Sequence, residues 1–335
     1  MNIFPGDDLV KRRQAVLQKT QPGMPAGPGA ADMRIGWIGI GKMGSPMARA
    51  VLSAGYAVTV LEPLIENRAS TVAAGAGVAD SIEELAARSD VILTTVAQDD
   101  VLHDLVFGDG GLAQHLASRH VFVDVSTVSP RLSAEIGDVL AARAVDYLRA
   151  PVSGSTATAQ SAQLTAMVSG PKRAWALVKP VLACFAARQF WVGEREEARY
   201  LKLAINVLVG GTSALLAEAL AVGRAGGLPV SVLMDVICQS AVGSPLLAYK
   251  HQAIVGNDFD PSFSISQMIK DFELICEVVR QTDGPAELSE AVRRRFEAAR
   301  RRGLGDRDYF VVTRDHEPAE PVDPVPGSFP GIEFG

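Results

Sequence analysis

The amino-acid sequence predicts a two-domain protein in which an α/β unit with a doubly wound parallel sheet precedes an all-α unit. Three observations predict it. From Arg34 onward, short β-rich apolar runs alternate with helical patterns. A glycine-rich turn, Gly39-Ile40-Gly41-Lys42-Met43-Gly44, separates the first run from the first helix. After Gly193 the strand pattern stops and helical periodicity takes over. A chain of 335 residues suits this division, because single cores stop growing near ~250 residues.

The runs 34–40, 57–62, 91–96 and 121–125 read as buried strands, and 144–148, 164–168 and 189–192 extend the sheet. Residues 196–226 form one helical stretch, about 46 Å long at ~1.5 Å per residue. The helices beyond it break at Gly227-Leu228-Pro229, Gly243-Ser244-Pro245 and Gly284-Pro285. The expected divisions are a flexible arm over 1–32, the sheet domain over 33–194, the helical domain over 195–312 and a flexible tail over 313–335.

Composition narrows the function. A net charge of -6 gives no basic footprint for a nucleic acid. The longest apolar stretch, 201–222, is interrupted by Lys202, Asn206 and Glu218, so it reads as a buried helix and no membrane span is expected. Cys184, Cys238 and Cys276 lack the spacing of a zinc site or a disulfide scaffold, which suits a reducing cytoplasm and a protein without metal.

Gly39, Gly41 and Gly44 fit G-x-G-x-x-G, a weak signal alone. Here a strand precedes it, a helix follows it, and a second strand ends in Glu62, 21 positions beyond Gly41. That context points to a dinucleotide: Gly39 permits the tight turn, Gly41 admits a pyrophosphate, and Gly44 lets helix and strand approach. The alternative is a ligand-free strand-to-helix turn. A carboxylate at Glu62 favours the ribose diol of NAD over the 2'-phosphate of NADP, whereas Arg68 offers a partner for a phosphate. The candidate cofactor contacts are Gly39, Gly41, Lys42, Met43, Gly44 and Glu62, with Val96 and Thr127 at the ends of later strands.

Hydride transfer to a carbonyl needs a proton donor. The five histidines read as surface residues. Lys202 differs, standing in apolar surroundings near the start of the long helix with Asn206 four residues on, so both point along one face. Burial and a neighbouring oxidised nicotinamide would both disfavour its protonated form. A helix-end lysine and a helix-packing asparagine explain the spacing equally well. Ser126, in Asp124-Val125-Ser126-Thr127-Val128-Ser129-Pro130, lies where a strand meets a helix and can donate to a carboxylate. Gly154, in Pro151-Val152-Ser153-Gly154-Ser155, can expose backbone N–H groups to an anion. Ordinary turn roles are the alternatives for both.

Together these segments, with Phe263 and Lys270-Asp271, stand in the order found in β-hydroxyacid dehydrogenases, and residues 34–312 resemble 3-hydroxyisobutyrate dehydrogenase and tartronate semialdehyde reductase. The resemblance implies a Rossmann-like domain, a helical domain, and a site between them. It implies Lys202 as catalytic acid/base, Ser126, Ser153 and Gly154 on the substrate carboxylate, Asn206 on the hydroxyl, and Lys270 closing over the cofactor with Asp271 in support. It also implies a homodimer or homotetramer, and NAD or NADP-dependent exchange of hydride with a small 3-hydroxy acid or its semialdehyde. The chain departs from the family pattern at Ser155, Thr158 and Ala162, where glycines are usual, and at Ile205, where a second asparagine is usual. These departures keep two alternatives open: an imine or other atypical carbonyl reductase, and a non-catalytic dinucleotide-binding interaction protein.

Overall fold

The computed structural model describes residues 33–282 and 284–314, so the expectations for the arm and for the tail beyond Arg314 lie outside the described residues. Among the described residues nine strands form one sheet: β1 (Arg34–Ile38), β2 (Ala57–Leu61), β3 (Gly77–Val78), β4 (Val91–Thr94), β5 (Val121–Asp124), β6 (Asp146–Arg149), β7 (Val152–Ser153), β8 (Thr165–Ser169) and β9 (Arg188–Gly193). The spatial order is β3-β2-β1-β4-β5-β6-β8-β7, with β9 on β8. Strands β1 to β6 pair in parallel, as alternation of strands and helices predicts.

The far end of the sheet departs from that expectation, because β8 runs antiparallel to both β6 and β7. A parallel return needs a full crossover helix. Here the residues between Arg149 and Thr165 are spent on β7 and a short helix, so the chain turns back instead. The two-residue strands β3 and β7 carry too few side chains to show a period, and sequence pattern does not reveal them.

Alternation along β1 divides the core. Ile35 and Trp37 face one side with Met47, Leu148 and Phe185, while Ile38 faces the other with Phe122, Leu132 and Ile136. Trp37 meets Phe185 edge-on at 5.8 Å. At the amino edge of the sheet, Arg34 forks onto Asp90 at 2.6 and 3.1 Å. The carboxyl edge carries the glycine turn, followed by α1 (Gly44–Ser53).

The helical domain is built on α9 (Glu197–Ala225), which follows α1 and, in the sheet domain, α2 (Ile65–Ala73), α3 (Ile82–Ala87), α4 (Asp99–Phe107), α5 (Leu112–His115), α6 (Pro130–Ala142), α7 (Thr156–Gln160) and α8 (Lys172–Ala183). Its 29 residues span about 43 Å. By length and composition it would cross a membrane, yet Leu203, Leu216, Ala217 and Leu220 pack in a core with Met234, Phe272 and Phe296. Gly210 lets α12 (Ile265–Gln281) approach: a Cβ there would lie 2.3 Å from the Phe272 ring. Helices α10 (Val230–Gln239), α11 (Pro245–Val255) and α13 (Glu287–Ala299) complete the domain, with breaks at the three expected Gly/Pro sites. Folded chain runs past 312, since Thr313 is buried and its carbonyl accepts from Arg224 at 3.3 Å.

One histidine departs from the surface expectation. His120 is buried, its ring bridging Ala117 N and Ala86 O, and burial pushes its pKa down. His251 is half-buried on α11 and pairs with Asp235 at 2.8 Å.

Candidate active site

The glycine turn leaves β1 in a conformation that only glycine adopts without strain. Gly39 has φ +86°, and a Cβ there would sit 2.3 Å from the Thr95 carbonyl oxygen. At Gly44 a Cβ would sit 2.1 Å from the Gly39 oxygen. Gly41 is different, with nothing within 4 Å of its added Cβ. That space lies before α1, whose first turn has neither a side-chain cap nor an acidic residue. Ser45 N donates to the Gly41 carbonyl at 3.0 Å and Pro46 has no N–H, so it is the backbone of the turn beside the open Gly41, ahead of the helix start, that fits a pyrophosphate, and the residues present suit a dinucleotide. Lys42 is exposed and Met43 half-buried beside this space.

Glu62 follows β2 and turns toward the loop. Its carboxylate accepts from Ile40 N at 3.0 Å, Leu64 N at 3.1 Å and Asn67 Nδ2 at 3.3 Å. It therefore stands at the glycine turn while already serving its own chain. Arg68 Nη1 donates to the Glu62 carbonyl at 3.2 Å, bringing a cation to the same strand end.

At the ends of β4 and β5, Ser126 Oγ accepts from Val96 N at 2.9 Å, tying two candidate residues together. Ser126 is buried, and its hydroxyl proton remains available to an acceptor. Ser129 caps α6 (Pro130–Ala142) through Leu132 N, with Pro130 in the first turn, as expected.

Ser153 is half-buried on β7, and Gly154 is exposed with φ +142°. The altered loop has a defined shape. Ser155 and Thr158 form a reciprocal capping box around α7 (Thr156–Gln160), with Ser155 N donating to Thr158 Oγ1 at 2.6 Å. Thr158 fills the space beside Gly154, where a Cβ would be 2.4 Å from its Oγ1. Ala162 keeps φ +57°, the left-handed backbone that a glycine would take at lower cost. Hydroxyl capping thus replaces glycine freedom in this loop.

From the helical side, Lys202 is half-buried on α9 and Asn206 is buried one turn further along. Asn206 Nδ2 donates to Asp271 Oδ2 at 2.5 Å, and Lys270 Nζ lies 2.8 Å from Asp271 Oδ1. Lys270 Nζ also donates to the Thr127 carbonyl at 2.6 Å, so α12 is fastened to the carboxyl edge of the sheet. Burial pushes the Lys202 pKa below the ordinary lysine value; Asp271 opposes that shift and Lys270 adds to it. The structure thus gathers Lys202, Asn206, Lys270 and Thr127 in one neighbourhood, and Ser126 with Val96 in the adjoining strand ends.

Sequence reading misses a buried ionic cluster beneath these residues. Arg199, 1% exposed, pairs with Asp124, 0% exposed, and Arg149 pairs with Glu196. Nothing local marks them, because Arg199 stands in the charged run Glu194-Arg195-Glu196-Glu197-Ala198-Arg199 and Arg149 closes a strand, while their partners stand 75 and 47 positions away.

A doubly wound sheet, a glycine turn at its carboxyl edge and a helical domain fastened over that edge define an NAD(P)-dependent oxidoreductase. Residues 34–193 match the family described as the NAD binding domain of 6-phosphogluconate dehydrogenase, and residues 197–314 match that described as the NAD-binding of NADP-dependent 3-hydroxyisobutyrate dehydrogenase. The chain belongs to the 3-hydroxyisobutyrate dehydrogenase, or β-hydroxyacid dehydrogenase, family. It is 31% identical to 2-(hydroxymethyl)glutarate dehydrogenase of Eubacterium barkeri over 84% of this chain and 94% of the relative. It is 32% identical to L-threonate dehydrogenase of Cupriavidus necator over 90% and 97% of the two chains. A solved 3-hydroxyisobutyrate dehydrogenase from Salmonella typhimurium superposes with a TM-score of 0.77 at 28% identity, covering 84% of this chain and 99% of that one.

Proposed function

We propose that this chain reversibly oxidises a small 3-hydroxy acid to its semialdehyde with NAD, and that Lys202 is the general acid/base. The observation that carries this reading is a lysine with a lowered pKa on the same helical face as Asn206, beside the Lys270–Asp271 pair. A bound nicotinamide supplies the hydride acceptor in oxidation and the donor in reduction. In oxidation the neutral Lys202 amine takes the hydroxyl proton as the carbon–hydrogen bond gives up its hydride; in reduction the ammonium returns that proton to the carbonyl oxygen. Ser126, Ser153 and the Gly154 backbone hold the carboxylate, and the side-chain oxygen of Asn206 orients the hydroxyl. Relatives named for 2-(hydroxymethyl)glutarate and L-threonate support a hydroxy-acid substrate. NAD is preferred because Glu62 places a carboxylate at the end of β2.

The test is absorbance at the nicotinamide band with NAD or NADP against 3-hydroxy acids, their semialdehydes and cyclic imines. Turnover of a 3-hydroxy acid, faster with NAD, is the expected result. Imine reduction alone would overturn the substrate class, and a preference for NADP would overturn the role given to Glu62.

The chain pairs with a second copy through α9. Leu201, Leu208, Leu215 and Val222 recur every seven residues, and the last three are 71%, 69% and 75% exposed. Such a stripe suits helix-on-helix packing. Sedimentation should give a dimer or tetramer for the wild type and a monomer for Leu208→Lys with Leu215→Lys; a wild-type monomer would remove this reading.

A further inference from the structure

Arg199 occupies the first turn of α9, three residues before Lys202, and none of its guanidinium faces water. Its Nη2 donates to Asp124 Oδ2 at 2.5 Å and to Tyr147 Oη at 3.0 Å. Its Nη1 donates to the Ser126 carbonyl at 2.6 Å, and Nε donates to Ser133 Oγ at 3.2 Å. The other Asp124 oxygen accepts from Thr94 Oγ1 at 2.7 Å and from Ser126 N at 3.1 Å. One side chain of the helical domain therefore reaches the end of β5, Tyr147 within β6, the start of α6 and the loop that carries Ser126.

The energetics favour a geometric role over a stabilising one. A buried ion pair loses in desolvation about what it gains in attraction, so apolar residues would fill this space at no loss of stability. What an apolar filling lacks is direction. A planar fork with fixed N–H vectors admits one placement of α9 against the Ser126 loop, and the next helical turn carries Lys202. Ser126 is held on both sides, its backbone N by Asp124 and its carbonyl by Arg199.

We propose that Arg199 is a positioning residue that sets the separation between Lys202 on α9 and the Ser126 loop at the sheet edge. The inference rests on the catalytic reading of Lys202 given above.

The test is Arg199→Lys, which keeps the charge on Asp124 but loses the fork, with Tyr147→Phe as a milder second variant that deletes one contact to the guanidinium, together with the 3.3 Å contact of Tyr147 Oη to Ser133 Oγ, and no charge. The first readout is steady-state kinetics with the substrate found in the panel. Arg199→Lys should lower kcat about tenfold to a hundredfold, a scale set by misplacement of reacting groups, while the NAD dissociation constant stays within about twofold. Tyr147→Phe should lower kcat about threefold to fivefold in the same pattern. The second readout needs no turnover: the lysines are reductively methylated with carbon-13 and the Lys202 resonance, identified in each background by its loss when Lys202→Arg is added, is followed with pH. Its midpoint, governed by burial and by Asp271 and Lys270 of α12, should move about half a pH unit or more toward the ordinary lysine value in Arg199→Lys. Wild-type kcat and an unmoved resonance in both variants, even with a lowered melting temperature, would overturn the proposal. Full activity in Lys202→Ala would instead overturn the catalytic reading, so the two failures are distinguishable.

Discussion

Lys202→Ala should lower turnover by roughly 100-fold or more while the NAD dissociation constant stays near the wild-type value, because general acid/base groups contribute on that scale and the cofactor contacts lie elsewhere. The pH profile carries the sign. Burial makes the neutral amine easier to form, so the wild-type oxidation rate should rise with pH and level off below the ordinary lysine range of about 10.4. The reduction rate should fall across the same interval, because there the ammonium is the working form. Both limbs should vanish in Lys202→Ala. Stopped-flow absorbance in both directions reads this directly, and unchanged turnover in the variant would remove Lys202 from the mechanism.

Gly39→Ala should cost both stability and cofactor. An alanine at φ +86° carries a backbone strain of roughly 1–3 kcal/mol, and its Cβ, 2.3 Å from the Thr95 oxygen, forces β4 and the glycine turn apart. We expect a total loss of about 2–4 kcal/mol in urea unfolding. NAD should bind more weakly by a factor of about ten or more, since the turn and the α1 N–H groups move together. Gly41→Ala is the contrast. Its Cβ meets no protein atom, so stability should hold while dinucleotide binding falls. Equal stability for Gly39→Ala and the wild type would show that the turn is not strained as its backbone implies.

Local patterns made most of the fold legible. Strands β1, β2, β4, β5 and β8 carry largely apolar, β-rich runs, β6 and β9 carry shorter ones beside polar residues, and the helix breaks carry Gly and Pro, so each announces itself within a few residues. The glycine turn was legible because its chemistry is written in consecutive residues. Lys202 and Asn206 were legible as a face, but their partners Asp271 and Lys270 lie more than 60 positions away. Arg199 reads locally as a helix charge. Only pairing of β5 with β6 and docking of α9 on their ends turn it into the centre of an ionic cluster. The loop after Gly154 shows both sides: Ala162 keeps a positive φ at a cost glycine would avoid, while Ser155 and Thr158 build a defined turn through side-chain hydrogen bonds that composition does not advertise.

The sheet keeps its two ends apart, and this has a consequence for anyone altering the molecule. The glycine turn, Ser126 and the contacts of α9 and α12 crowd the carboxyl edge, whereas the amino edge holds the exposed Arg34–Asp90 fork. An exposed pair of that kind contributes little to stability. Labels, tethers and surface-charge changes placed along the amino edge therefore have the whole length of the strands between them and the chemistry, which makes that edge the handle of the enzyme and the opposite edge its tool.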